Sequence, residues 1–332
     1  MEYFNNYKRL YLTAFGLFVF LTLMVVILPA LTNQKNNALL PGYELPSEDE
    51  LAGKALFIAN GCVACHTQQV RNVAMDERWG TRPGLPADYA GIHRQDFWRN
   101  TATLMGTERT GPDLTDIGNR QPSIDWHLLH LYQPRAVVKE SIMPAFTWLF
   151  TEKDKAESGD IEIKVPDQFK AGMNGKIIAT KEALQLVAYL KSLRQIKLYD
   201  KKLNVDFLYK EPGNLRKRGV EIENDEGQSL YATNCQSCHQ SNGEGLKGAF
   251  PALKGSPIVL DDHPELYITI IMKGYDVREE FGVMPAVGKN ANLSAEQVTA
   301  IIAHERSSWG NKARKIPLTE VQKIMDLIKA GK

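Results

Sequence analysis

Cysteine is scarce in this 332-residue chain: there are four, at positions 62, 65, 235 and 238. All four lie inside two short stretches, so none remains for a separate structural disulfide and a disulfide-stapled scaffold is excluded. An excess of one charge sign is also missing. Forty basic side chains meet 39 acidic ones, a formal net charge of +1, which removes any reason to expect nucleic acid or a strongly charged partner. Strand signals are thin. The candidates are "IEIKV" (161–165) and "KIIAT" (176–180), expected to form one small hairpin. Long apolar runs are absent after about residue 33.

Before that point there is one such run, Tyr11–Leu31, 21 residues without a charge. About 20 apolar residues in a helix cross a hydrocarbon core roughly 30 Å thick. A secretory signal usually has a shorter apolar region, and Leu28-Pro29-Ala30 is a poor small-x-small cleavage site. The run therefore reads as an uncleaved anchor. Lys8 and Arg9 precede it, which sets the N-terminus on the cytoplasmic side.

The cysteines fall in "ANGCVACHTQQ" (59–69) and "ATNCQSCHQSN" (232–242). Each stretch is a C-x-x-C-H, the attachment signature of c-type haem. Two thiols on one helical turn can each add to one vinyl group of the macrocycle, and the next residue aims an imidazole at the iron. The expected cofactors are thus two covalently bound haem c groups, one on Cys62 and Cys65 and one on Cys235 and Cys238, with His66 and His239 as axial ligands. A zinc site built by pooling both pairs would leave the histidines unexplained. Thioredoxin-like dithiol chemistry is the other alternative.

Each iron needs a sixth ligand or an open position. "SIMPAF" offers Met143 and "FGVMPAV" offers Met284, each before a proline and at matched places in the two units. A Met/His pair raises a haem's reduction potential. Competing candidates are Met75, Met105 and Met272. Pro112 in "TGPDL" and Pro251 in "AFPAL" fall between histidine and methionine, where a proline carbonyl can fix the imidazole ring through its other nitrogen. Pro112 follows His66 by 46 residues and Pro251 follows His239 by 12, so the first unit carries an insertion near residues 68–109. His127 and His130, on one helical face, read as structural; His93, His263 and His304 have no motif around them.

The expected fold is mainly α: one N-terminal transmembrane helix (1–33) and two class I cytochrome c-like helical domains (34–195 and 225–310). A solvated linker (196–224) joins them and a tail helix (311–332) follows. Capping boxes at Ser47/Glu50 and Ser294/Gln297 mark two helix starts.

"GCVACHTQQVRN", "GTERTGPDLTDIGNR", "DWHLLHLYQPRAVV" and "SIMPAFTWL" together resemble the membrane-anchored monohaem c subunit of cbb3-type haem–copper oxidases, over roughly residues 5–150. The resemblance implies that His66 and Met143 are axial ligands and that the unit docks on a haem–copper catalytic subunit. It also implies that Arg71, Arg78, Arg82, Arg94, Arg99 and Arg109 supply propionate or subunit contacts, ordinary surface charge being the alternative. Residues 225–310 are similar to small soluble class I cytochromes c, a generic match that implies no unique partner. The expected function is a di-haem electron-transfer subunit of a membrane-bound respiratory oxidase. It would sit in the bacterial inner membrane with its haems on the periplasmic side, fed by a soluble or membrane-bound donor. A c-type subunit of a nitric oxide reductase or other respiratory complex is the alternative, and a di-haem peroxidase is a further one.

Overall fold

The computed structural model describes residues 5–36, 44–85, 88, 104–106, 108–170, 175–195, 207, 222–278 and 280–331. The chain is mainly helical. Helix α1 begins at Tyr7 with Asn6 as its cap and continues to Asn36. Pro29 has no N–H to give the preceding turn, and the helix widens to a π-turn over Thr22–Ile27 just before it. Tyr7–Thr32 is long and apolar enough to cross a membrane, and its window has no residue buried against the rest of the chain.

The first unit is built on two crossed helices, α2 (Glu48–Ala59) and α4 (Lys181–Ser192), with α3 (Ile124–Tyr132) beside them. Ser47 and Glu50 close a capping box on α2, whose first turn carries Glu48, Asp49 and Glu50, the sign that the helix dipole favours. The crossing depends on Gly53. A Cβ there would lie 1.9 Å from the Gln185 carbonyl oxygen. Phe57 then meets Tyr189 edge-on, ring centroids 5.5 Å apart, and Leu128, Leu129 and Leu186 fill the centre.

The small sheet differs in part from expectation. β2 (Lys176–Ala179) forms, but it pairs antiparallel with β1 (Phe150–Lys153), Phe150 opposite Ala179. The 161–163 segment lies along the other edge of β2 and makes a bridge only at Glu162 and Ile178. β1 wins the pairing because Phe150 is buried on the core and packs edge-on against Tyr132.

The second unit repeats the crossing. Helix α5 (Ile222–Asn234) passes α7 (Ala295–Ser307) at Gly227, where a Cβ would lie 2.3 Å from the Ala300 carbonyl. Helix α6 (Glu265–Lys273) stands beside them. Ser294 and Gln297 close the second capping box. The tail forms α8 (Leu318–Lys329), and Val321, Ile324 and Met325 join Ile268, Ile301 and Ile302 in one core. Burial of such side chains contributes about 1.5–3 kcal/mol each. The tail helix therefore belongs to the second unit's core.

The two units also share packing. Ala249 and Phe250 of the second are buried in the first unit's core, and Cys238 and Leu246 lean on it. Of the expected linker, the described residues are Phe207, which is buried, and the start of α5.

Candidate haem-binding sites

Both C-x-x-C-H stretches fold as a single helical turn. The His66 amide donates to the Cys62 carbonyl at 3.0 Å, and the His239 amide donates to the Cys235 carbonyl at 3.0 Å. This sets both thiols and the imidazole of each stretch on one turn. The four cysteines form no disulfide.

Each imidazole is oriented by a proline carbonyl. His66 Nδ1 lies 2.7 Å from the Pro112 oxygen, and His239 Nδ1 lies 2.9 Å from the Pro251 oxygen. A carbonyl only accepts, so each Nδ1 carries the proton. Each Nε2 then keeps its lone pair, the form that binds a metal. Burial lowers the pKa of both rings, against the opposing pull of those carbonyls, so both stay neutral at pH 7. The close approach in the first unit requires Gly111, because a Cβ there would lie 2.3 Å from His66 Cε1.

Cys235, His239, Pro251, Tyr267, Met284 and Glu305 line one largely apolar cavity, together with Ile271 and Ile301. Met284 is held there by paired backbone hydrogen bonds with Tyr275, 2.9 Å each way. Met272 lies instead against Gly288, outside the lining. In the first unit Met143 and Cys62 lean on the same core. Met75 is 63% exposed and accepts a contact from Arg71.

The thiols are poorly suited to other chemistry. Burial pushes Cys62 up to about 11 and Cys238 up to about 12, the reverse of the lowered pKa that dithiol exchange uses. Among the described residues no three His, Cys, Asp or Glu side chains converge as a metal-binding group, so the pooled zinc site does not form. The residues present fit covalent haem: paired thiols, a neutral imidazole with a bare Nε2, and an apolar cradle.

The described arginines of the insertion have partners within the chain. Arg109 pairs with the fully buried Asp76 and also donates to Thr67 Oγ1 at 2.7 Å and the Gln69 carbonyl at 2.6 Å. Arg71 binds Asp76 at 3.1 Å, Arg82 binds Asp88 at 2.5 Å, and Arg78 lies over the Trp79 ring. Arg109, Arg71 and Arg82 thus neutralise carboxylates that the loop draws out of solvent. Arg94, Arg99 and His93 lie outside the described residues. His127 Nε2 bonds the Gln121 carbonyl at 2.9 Å, and His304 packs on Tyr231 and Trp309. Sequence reasoning missed Gly111, the Asp76–Arg109–Asp113 group and buried Glu305; glycine before the loop proline was the one visible signal.

Residues 3–204 match the family model for the mono-haem subunit (FixO) of cytochrome c oxidase. The chain belongs to that family. Residues 223–304 match a second model, cbb3-type cytochrome c oxidase subunit III. The chain is also similar to cytochrome c-552 of Thermus thermophilus, 31% identical over 121 residues, covering 32% of this chain and 78% of that protein. The cytochrome c subunit of a quinone alcohol dehydrogenase from Gluconacetobacter polyoxogenes is 32% identical over 104 residues. That match covers 30% of this chain and 22% of the relative, so the chain spans about a fifth of that relative's length. A fructose dehydrogenase cytochrome subunit from Gluconobacter japonicus is 30% identical over 115 residues, 33% of this chain and 24% of the relative. The chain is thus a member of a cytochrome c oxidase subunit family, and cytochrome c families carry covalently bound haem c.

Proposed function

We propose that this chain is a di-haem c subunit that takes electrons from a donor at its second haem and passes them to its first. From there the first unit would serve the haem–copper catalytic subunit of a membrane-bound respiratory oxidase. The observation that carries this reading is the duplicated device: a C-x-x-C-H turn whose histidine is fixed through Nδ1 by a proline carbonyl, at 2.7 Å in one unit and 2.9 Å in the other. A haem bound at each site supplies a one-electron Fe(III)/Fe(II) couple.

The residues have definite roles in this reading. Cys62, Cys65, Cys235 and Cys238 would hold the macrocycles by thioether bonds. His66 and His239 would bind iron through Nε2, with Pro112 and Pro251 fixing their rings. Met143 and Met284 would supply thioether ligands, which keep small oxidants off a haem iron and raise its potential. This disfavours a peroxidase, which needs an open or displaceable site. Helix α1, about 39 Å over the 26 residues of Tyr7–Thr32, anchors the chain in the bacterial inner membrane. Lys8 and Arg9 keep its N-terminus cytoplasmic, so the haem units face the periplasm. The match of both halves to cbb3-type oxidase subunits supports this assignment over a nitric oxide reductase.

Purification in mild detergent with identification of the bound large subunit tests the proposal. A copper-containing haem oxidase is expected; a large subunit lacking copper removes the oxidase assignment.

A further inference from the structure

Helix α3 of the first unit is where the second haem-binding turn is seated. Trp126 Nε1 donates to the Ser237 carbonyl at 3.0 Å, and Gln121 Nε2 donates to the Ser237 hydroxyl at 2.6 Å. Ser237 belongs to the second C-x-x-C-H and precedes Cys238, which itself packs on the first unit's core. Beside Trp126, Asp125 Oδ2 accepts from the Val283 amide at 2.8 Å, one residue before Met284. One turn further along α3, the His130 ring lies flat on Trp126, centroids 4.6 Å apart and 14° from parallel. His130 Nδ1 is buried without a hydrogen-bond partner, and Trp126 belongs to the core against which Cys62 and Met143 of the first site pack.

These contacts link Cys238 and Ser237 to Trp126 and its stacked His130, on a helix whose core also receives Cys62 and Met143 of the first site. We infer that the Trp126–His130 stack on α3 is the electronic bridge between the two haem sites, with Gln121 and Asp125 fixing the second unit's register on it. The inference rests on the two-haem reading. One electron leaves the second iron, which goes from ferrous to ferric, and reduces the first from ferric to ferrous. No bond forms or breaks, and neither ring is oxidised or protonated. A hydrogen bond and a stacked pair couple donor and acceptor better than the same span of loosely packed side chain. Trp126 and His130 are therefore positioning residues for the transfer. Asp125 and Gln121 hold the gap constant.

The test uses the full chain with both haems attached, a photoactivated ruthenium label on the second unit, and transient absorbance to follow electron arrival at the first haem. Trp126→Phe keeps a stacked ring and loses the N–H donor, and is expected to slow transfer several-fold. His130→Leu and Trp126→Leu remove the stack and are expected to slow it at least tenfold. Haem content and both reduction potentials stay unchanged in Trp126→Phe and His130→Leu. If Trp126→Leu fails to fold, those two variants decide. An unaltered rate in His130→Leu and Trp126→Phe, with both haems present, overturns the bridge. A wild-type chain with only one haem overturns instead the reading on which the bridge rests.

Discussion

After His66 the first unit sends its chain on a long excursion before Pro112 returns, and the loop is pinned by charge. Asp113 accepts from Thr67 Oγ1 and the Gln69 amide, and Arg109 joins Thr67, Gln69 and buried Asp76. After His239 the second unit returns within 12 residues, and its loop is held by aromatic donors. Tyr231 Oη donates to the Gln240 carbonyl at 2.6 Å and Trp309 Nε1 to the Ser241 carbonyl at 2.9 Å. The difference shows how one orienting device tolerates two loop lengths. A short loop can be closed by rings from the flanking helices. A long one buries its own polar backbone and needs an internal ion network to satisfy it.

The largest test of this pairing removes one copy. Cys235→Ser with Cys238→Ser is expected to leave one covalent haem per chain, and Cys62→Ser with Cys65→Ser the other, by pyridine haemochrome. Loss of both haems from either variant would break the independence of the sites. Met284→His should next lower the second haem's potential by roughly 0.1–0.3 V, within the ~0.8 V range that axial ligands span, while the first stays fixed. Redox titration decides it, and an unmoved potential shows that Met284 is not a ligand.

Arg109→Ala strips buried Asp76 of its main partner. Breaking such a pair costs about 3–5 kcal/mol, so thermal melting should show the first unit destabilised and the second intact. A uniform loss in both units would contradict the separate pinning of the two loops.

The buried acids give the two units opposite pH behaviour. Burial raises the Asp76 pKa, but hydrogen bonds from Arg109 and Arg71 more than reverse this and hold it well below the usual carboxylate range. Its stabilisation is present above about pH 4 and is lost only as pH falls toward its own depressed value. Glu305 is pushed up to about 7 by burial, against a hydrogen bond from Tyr267 that lowers it. Between about pH 4 and 7 the unfolded Glu ionises while the folded one stays protonated, so the second unit loses stability as pH rises through that window. The slope amounts to on the order of 2–3 kcal/mol, and Glu305→Gln should flatten it in denaturant titrations at pH 5 and 7. A slope that persists in Glu305→Gln assigns it to another group.

The smallest effect compares the helix crossings. Gly227→Ala puts a Cβ 2.3 Å from the Ala300 carbonyl, and overpacking of this kind costs about 1–3 kcal/mol. Gly53→Ala, at 1.9 Å from the Gln185 carbonyl, should cost the first unit at least as much. Equal melting curves for variant and wild type would show that the helices part freely there.

Much of this was legible because the chemistry is local. Five consecutive residues specify each attachment turn, and capping boxes mark α2 and α7. The proline carbonyls were readable as a repeated position between histidine and methionine. Long-range pairings were not. Nothing in "FTEK" advertises that it, and not 161–165, takes the main edge of β2, since that choice depends on where Phe150 finds its core. The carboxylate partners of Arg71, Arg82 and Arg109 were not readable, because sequence does not reveal which carboxylates become buried. Glycines 53, 111 and 227 are silent in sequence for the same reason: their function is defined by a backbone or ring that arrives from elsewhere in the chain. The seating of Ser237 on Trp126 joins residues 111 apart, beyond any local pattern.

Intact-mass spectrometry of the mature, denatured chain tests the central claim most directly. The account predicts a polypeptide heavier by two haem groups that survive acidified organic solvent. A chain carrying one haem, or none, contradicts it.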